Sequence, residues 1–136
     1  MKTLKIRWQR LVDESGITCT RCKATEKEVE KAFYILKQSF APRGLDVILE
    51  KAVIDSDVFA KDPLVSNRLW IDDRPLEEWL KAQVGKSPCC SGPCHNEGCR
   101  TITLEGRTYE MVPAELIIEA GLLAASRLAS QSDDMV

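Results

Sequence analysis

The chain is expected to be an α/β protein in which a strand–helix–strand unit is followed by a further strand, a Cys-rich loop, a β-hairpin and a C-terminal helix. Three observations predict it. Residues 3–12 alternate apolar and polar side chains, residues 23–40 carry an apolar stripe at helical spacing, and Leu45–Ile54 is a run of branched apolar residues. Periods of 2 and then 3.6, in that order, are the pattern of a βαβ unit, whose two strands run parallel.

In the first strand Leu4, Ile6, Trp8 and Arg10 share one side, Lys5, Arg7 and Gln9 the other, and Leu11-Val12 closes the run. Asp13 to Gly16 form a loop, and Ile17-Thr18 lead into Cys19 and Cys22. In the helix that follows, Val29, Phe33, Leu36 and Phe40 make one face, with Glu26, Lys27, Glu30 and Lys37 toward water. Pro42 and Gly44 stop it. Leu45–Ile54 is the second strand, Asp55–Asp62 suits a helical turn, and Ser66–Asp72 is a third strand. Asp73-Arg74-Pro75 is a turn signal, and residues 76–83 suit a short helix. Residues 84–99 are crowded with Gly, Pro, Ser and Cys and form an inserted loop. Residues 101–104 and 107–111, joined through Glu105-Gly106, make a hairpin. Pro113 opens a last helix, to Leu128, that is apolar nearly all round and therefore either sandwiched in the core or shared with a second subunit in a homodimer.

With 136 residues, one domain over 1–129 is expected, followed by an unstructured tail at 130–136. A net charge of -2, with no basic run in the sequence, argues against a nucleic-acid partner. No apolar run reaches membrane-spanning length. Residues 1–7 lack the apolar stretch of a secretory signal, so a cytoplasmic location is expected, where stable disulfides are disfavoured.

Six cysteines therefore need another explanation. They fall in two groups: Cys19 with Cys22, and Cys89, Cys90, Cys94 and Cys99 around the only histidine, His95. At a helix start, free backbone N–H groups and the positive end of the dipole favour a thiolate. Such a setting lowers a cysteine pKa from about 8.5 toward roughly 3.5–7.5. Arg21 and Lys23 add positive charge. Cys19 suits the nucleophile and Cys22 the resolving thiol of disulfide exchange, a reaction needing no cofactor. The pair could instead ligate a metal or be inert, since half a zinc site has the same spacing. The βαβ context favours the redox reading.

The second group is open in three ways. Cys89, Cys90, Cys94 and Cys99, with or without His95, could enclose Zn²⁺ or another soft metal. They could serve as partner thiols for Cys19 and Cys22, or form a structural disulfide. Their spacing does not match paired C-x₂-C knuckles. Trp8, Trp70 and Trp79 read as core or rim, and the scattered aspartates as turn and cap residues.

The strand, the T-C-x-x-C, the helix and strand, and then Ser66 to Glu77 resemble the thioredoxin/glutaredoxin-like superfamily. Cys19, Cys22, Ile71 to Glu77, Cys89-Cys90-Ser91, Cys94, Cys99 and Pro113 to Ala120 resemble, over nearly the full length, a small prokaryotic thioredoxin-like family of uncharacterised function, domain of unknown function 2703. The resemblance implies a thioredoxin-like fold, a protein or small-molecule disulfide as substrate and a reductase as partner. One position departs from the superfamily pattern. Where a cis-proline usually precedes the third strand, this chain has Asn67, after Ser66, and a trans bond is expected there.

Overall fold

The computed structural model describes residues 2–11, 20–54, 61, 66–87 and 99–134. The chain is a mixed α/β protein. β1 (Lys2–Leu11) and β2 (Leu45–Ile54) pair in parallel, from Lys2 opposite Leu45 to Leu11 opposite Ile54. α1 (Thr20–Phe40) connects them, as the change of period predicts. A single 3₁₀ turn, Ala41–Arg43, and Gly44 at φ 75° end the helix, a left-handed conformation that glycine adopts without strain.

The apolar side of β1 drives this arrangement. Leu4, Ile6 and Trp8 have no exposed surface, and each such side chain contributes about 1.5–3 kcal/mol of burial. On α1 the buried stripe is Thr25, Val29, Ala32, Leu36 and Phe40, while Phe33 is only half-buried. The helix also begins at Thr20, three residues ahead of the expected Lys23, so Cys22 lies within it.

β3 (Arg68–Ile71) runs antiparallel to β1, with Ile6 opposite Ile71 and Trp8 opposite Leu69. It is shorter at both ends than the expected 66–72, because Ser66 and Asn67 form a turn. Asp72 and Asp73, at φ 53° and 64°, make a two-residue turn of the hairpin kind into β4 (Arg74–Pro75). The expected turn at Asp73-Arg74-Pro75 is thus partly strand. The first sheet has the order β2-β1-β3-β4.

α2 (Leu76–Leu80) follows, shorter than the expected 76–83 and closed by Lys81 at φ 58°. The next segment corrects the expected inserted loop. β5 (Gln83–Ser87) and β6 (Cys99–Leu104) pair antiparallel, with Ser87 opposite Cys99, so only residues 88–98 lie between paired strands. β6 turns through Glu105 and Gly106 into β7 (Arg107–Tyr109), giving a second sheet of order β5-β6-β7.

α3 (Ala114–Asp134) runs past the expected end at Leu128 and takes in the first part of the expected tail. Its buried side is Ala114, Leu116, Ile117, Ala120 and Ala124, packed toward α1, whereas Leu122 and Leu123 are exposed. It is therefore embedded on one side only. Glu28 of α1 caps its start, accepting a hydrogen bond from the Ala114 N–H at 3.0 Å. No helix among the described residues is long and apolar enough to cross a membrane.

Candidate thiol site

The opening of α1 is the feature that the sequence reading singled out. Thr20 is its first helical residue, directly after Cys19 in sequence, and Cys22 is its third. The first turn holds no acidic residue, so nothing there offsets the positive end of the helix. Cys19 itself lies outside the described residues, as do Cys89, Cys90, Cys94 and His95.

A buried polar cluster fixes this end of α1 against the sheet. The Trp8 indole N–H donates to Asn67 Oδ1 at 2.9 Å, and Asn67 Nδ2 donates to Thr25 Oγ1 at 3.1 Å. The Val112 backbone N–H, in the segment leading to α3, donates to the same Thr25 oxygen at 3.4 Å. Beside them the Leu11 N–H, at the end of β1, donates to Ser66 Oγ at 2.9 Å. Thr25, Ser66 and Asn67 are all buried, so these bonds form away from water, where leaving one unmade costs about 1–3 kcal/mol. Asn67 stands in the left-handed region at φ 60°, which asparagine tolerates better than most residues, and the described peptide bonds are all trans. The position expected to face the thiols thus carries a side chain that binds β1 and α1 together.

Arg10 is a second residue on this face that sequence reasoning placed with the apolar side of β1 without giving it a role. Its guanidinium lies 4.8 Å from the Trp8 ring centroid and donates to the Ala52 carbonyl at 2.9 Å. It brings a fixed cation to the end of the sheet from which the chain leaves β1 toward Cys19.

The strand that carries Cys99 comes to the same region. Arg100, next in sequence, and Asn67 line one cavity of about 10 Å³, with Glu77, Thr101 and Val112 among its other walls. That is space for about one water molecule. The Arg100 guanidinium pairs with the Glu77 carboxylate, the two side chains 8% and 13% exposed, which ties β6 to α2. No group of three His, Cys, Asp or Glu side chains among the described residues could hold a metal ion. The expected ligands Cys89, Cys90, Cys94 and His95 fall outside those residues, and Cys99 is placed as the first residue of β6.

The larger groove, about 730 Å³, lies elsewhere. Phe40, Leu45, Leu122 and Leu128 line it, with Lys2 and Arg43, at the far end of α1 and about 30 Å from Thr20 by helix rise. The groove and the opening of α1 thus lie at opposite ends of the helix.

Comparison with known proteins places these residues in a lineage. Residues 4–121 match the family described as Domain of unknown function (DUF2703). An uncharacterized protein of Archaeoglobus fulgidus is 38% identical over 114 residues, covering 84% of this chain and 82% of that one. No solved structure matches.

Proposed function

The chain belongs to the DUF2703 family, and from that premise we propose that it is a thiol–disulfide exchange protein of thioredoxin-like architecture, with Cys19 as attacking thiolate and Cys22 as resolving thiol. One observation carries the reading: α1 opens at Thr20, directly after Cys19, with no acidic residue in its first turn. The architecture is supported by the order β2-β1-β3-β4, with β1 and β2 parallel and β3 and β4 each antiparallel to the neighbour before it in that order.

The Cys19 thiolate attacks one sulfur of a protein or small-molecule disulfide. A new S–S bond forms to Cys19 and the other substrate sulfur leaves as a thiolate. The Cys22 thiolate then attacks the Cys19 sulfur, forming the Cys19–Cys22 disulfide and releasing the second substrate thiolate. Two electrons pass to the substrate, and an external dithiol reductase returns the protein to its starting state. Among the described residues the cavity beside Asn67 is of water size, which suits a substrate disulfide held at the surface and not in a pocket there.

A second reading has its own observation. Ser87 and Cys99 are register partners, so the chain holding Cys89, Cys90, Cys94 and His95 leaves and returns at adjacent points. That closure lowers the entropic cost of gathering ligands around one soft metal ion.

The test is alkylation and redox titration of the reduced protein. Cys19 is expected to react with iodoacetamide at pH 6, and the Cys19–Cys22 disulfide to form and reverse in a glutathione buffer. Cys19 unreactive at pH 6, with no such disulfide at any buffer ratio, would end the exchange reading. Metal analysis of the same anaerobic sample, with and without Cys90→Ser, tests the second.

A further inference from the structure

The groove at the far end of α1 is held open by small residues. Leu122, Ala125, Ser126 and Ala129 line it from α3, at the i, i+3, i+4 and i+7 spacing that puts them on one helix face. Only Leu122 among them has a large side chain. The facing wall is the bend where α1 passes into β2, built from Phe40, Arg43, Gly44 and Leu45. Gly44 adds no bulk, and a Cβ built on it would meet nothing within 4 Å. The space that remains, about 730 Å³, is of the size that holds one small molecule.

Charge in the groove has one sign. Its ionic residues are Lys2 and Arg43, and none of its lining residues is acidic. The Lys2 ammonium donates to the Leu128 carbonyl, which uses one of its three protons. Arg43 is exposed and, among the described residues, lies in no ion pair, whereas Lys5, Lys37 and Lys51 each hold a carboxylate. Apolar walls suit a hydrocarbon body, and the two cations suit an anionic end. A second copy of the chain fits less well, since an isologous contact brings Lys2 and Arg43 of both copies to one interface.

We propose that the groove binds one molecule of a long-chain carboxylate, its hydrocarbon chain against Phe40, Leu45, Leu128 and the α3 stripe, and its head group drawn to Lys2 and Arg43. The site is separate from the thiol chemistry and stands whether or not the exchange reading does.

The experiment is calorimetric titration of the full chain with straight-chain carboxylates, each kept below its micelle-forming concentration. One saturable site per chain is expected. From octanoate to decanoate to dodecanoate, Kd is expected to fall about fourfold for each added CH₂. Arg43→Gln should weaken decanoate by up to about fivefold and leave decanol, which has no charge, unchanged. Ser126→Trp, at an exposed position of α3, fills the groove and should remove binding of both. Ala129→Trp, also at an exposed position, is the second variant should Ser126→Trp not fold. Dodecylammonium bound as tightly as dodecanoate, or dodecanoate binding that survives in a folded tryptophan variant, overturns the proposal. So does the absence of saturation, a dimer in sedimentation that excludes dodecanoate, or capture by phosphatidylglycerol vesicles without binding of the monomeric carboxylate.

Discussion

Gly121 of α3 approaches Leu36 of α1 so closely that a Cβ built on it would stand 2.7 Å from Leu36 Cδ1 and 3.1 Å from Cδ2. Leu36 is itself buried, so turning its side chain exchanges one clash for the other. Overpacking of this kind costs about 1–3 kcal/mol, against about 1 kcal/mol gained in helix propensity. Gly121→Ala is expected to lower unfolding free energy by about 1 kcal/mol in urea titration, and Gly121→Val by more. An alanine variant more stable than the parent would show that the two helices have room to part.

The buried Arg100–Glu77 pair should behave unlike the surface pairs such as Lys5–Asp73, whose carboxylate is 79% exposed. Glu77→Ala removes the carboxylate partner of a mostly buried guanidinium and is expected to cost about 3 kcal/mol. Glu77→Leu with Arg100→Met should recover much of that loss. Denaturant unfolding of the three variants checks it, and Asp73→Ala serves as the surface control, at under about 1 kcal/mol.

Glu28 offers a narrower test. Glu28→Ala removes the acceptor on the Ala114 N–H and is expected to cost about 1 kcal/mol, with Glu28→Gln losing less because its amide oxygen still accepts. Thermal unfolding, paired with hydrogen exchange at the start of α3, locates the loss.

The exchange chemistry predicts an asymmetry between its two sulfurs. With a small aromatic disulfide, Cys22→Ser protein should accumulate a stable mixed disulfide at Cys19, seen as one adduct by intact mass. Cys19→Ser should accumulate far less at Cys22 over the same time. Equal adducts on both variants would remove the division into attacking and resolving thiol.

Where burial follows a period, the sequence was readable. The alternation of Leu4, Ile6 and Trp8 marks the inner side of β1, and the expected bounds of β2, Leu45–Ile54, are those observed. The α1 stripe was found except that Ala32 takes the place given to Phe33, because size misleads where a small residue faces the crowded side, and that Thr25, being polar, was left out of it. The α1 start was placed late because Thr20-Arg21-Cys22 precede the first apolar position. β4 is two residues ending in Pro75, and β5 is Gln-Val-Gly-Lys-Ser; neither carries an apolar pattern, and each exists because a neighbouring strand pairs with it.

The polar cluster at the candidate site was the least legible part. Ser66 and Asn67 are isolated polar residues in a turn, and their partners Leu11, Trp8 and Thr25 are distant in sequence. One signal was available: Thr25 lies four residues before Val29, in phase with the buried stripe, and a hydroxyl at such a position requires a partner.

The register that sets Ser87 opposite Cys99 brings the two ends of the stretch from 88 to 98 to neighbouring points on one strand pair. Its two anchor points are held by β5 and β6, whose pairing continues to Gln83 and Thr103. A substitution between the two anchors therefore acts on a closed loop whose ends are already fixed by ten paired residues.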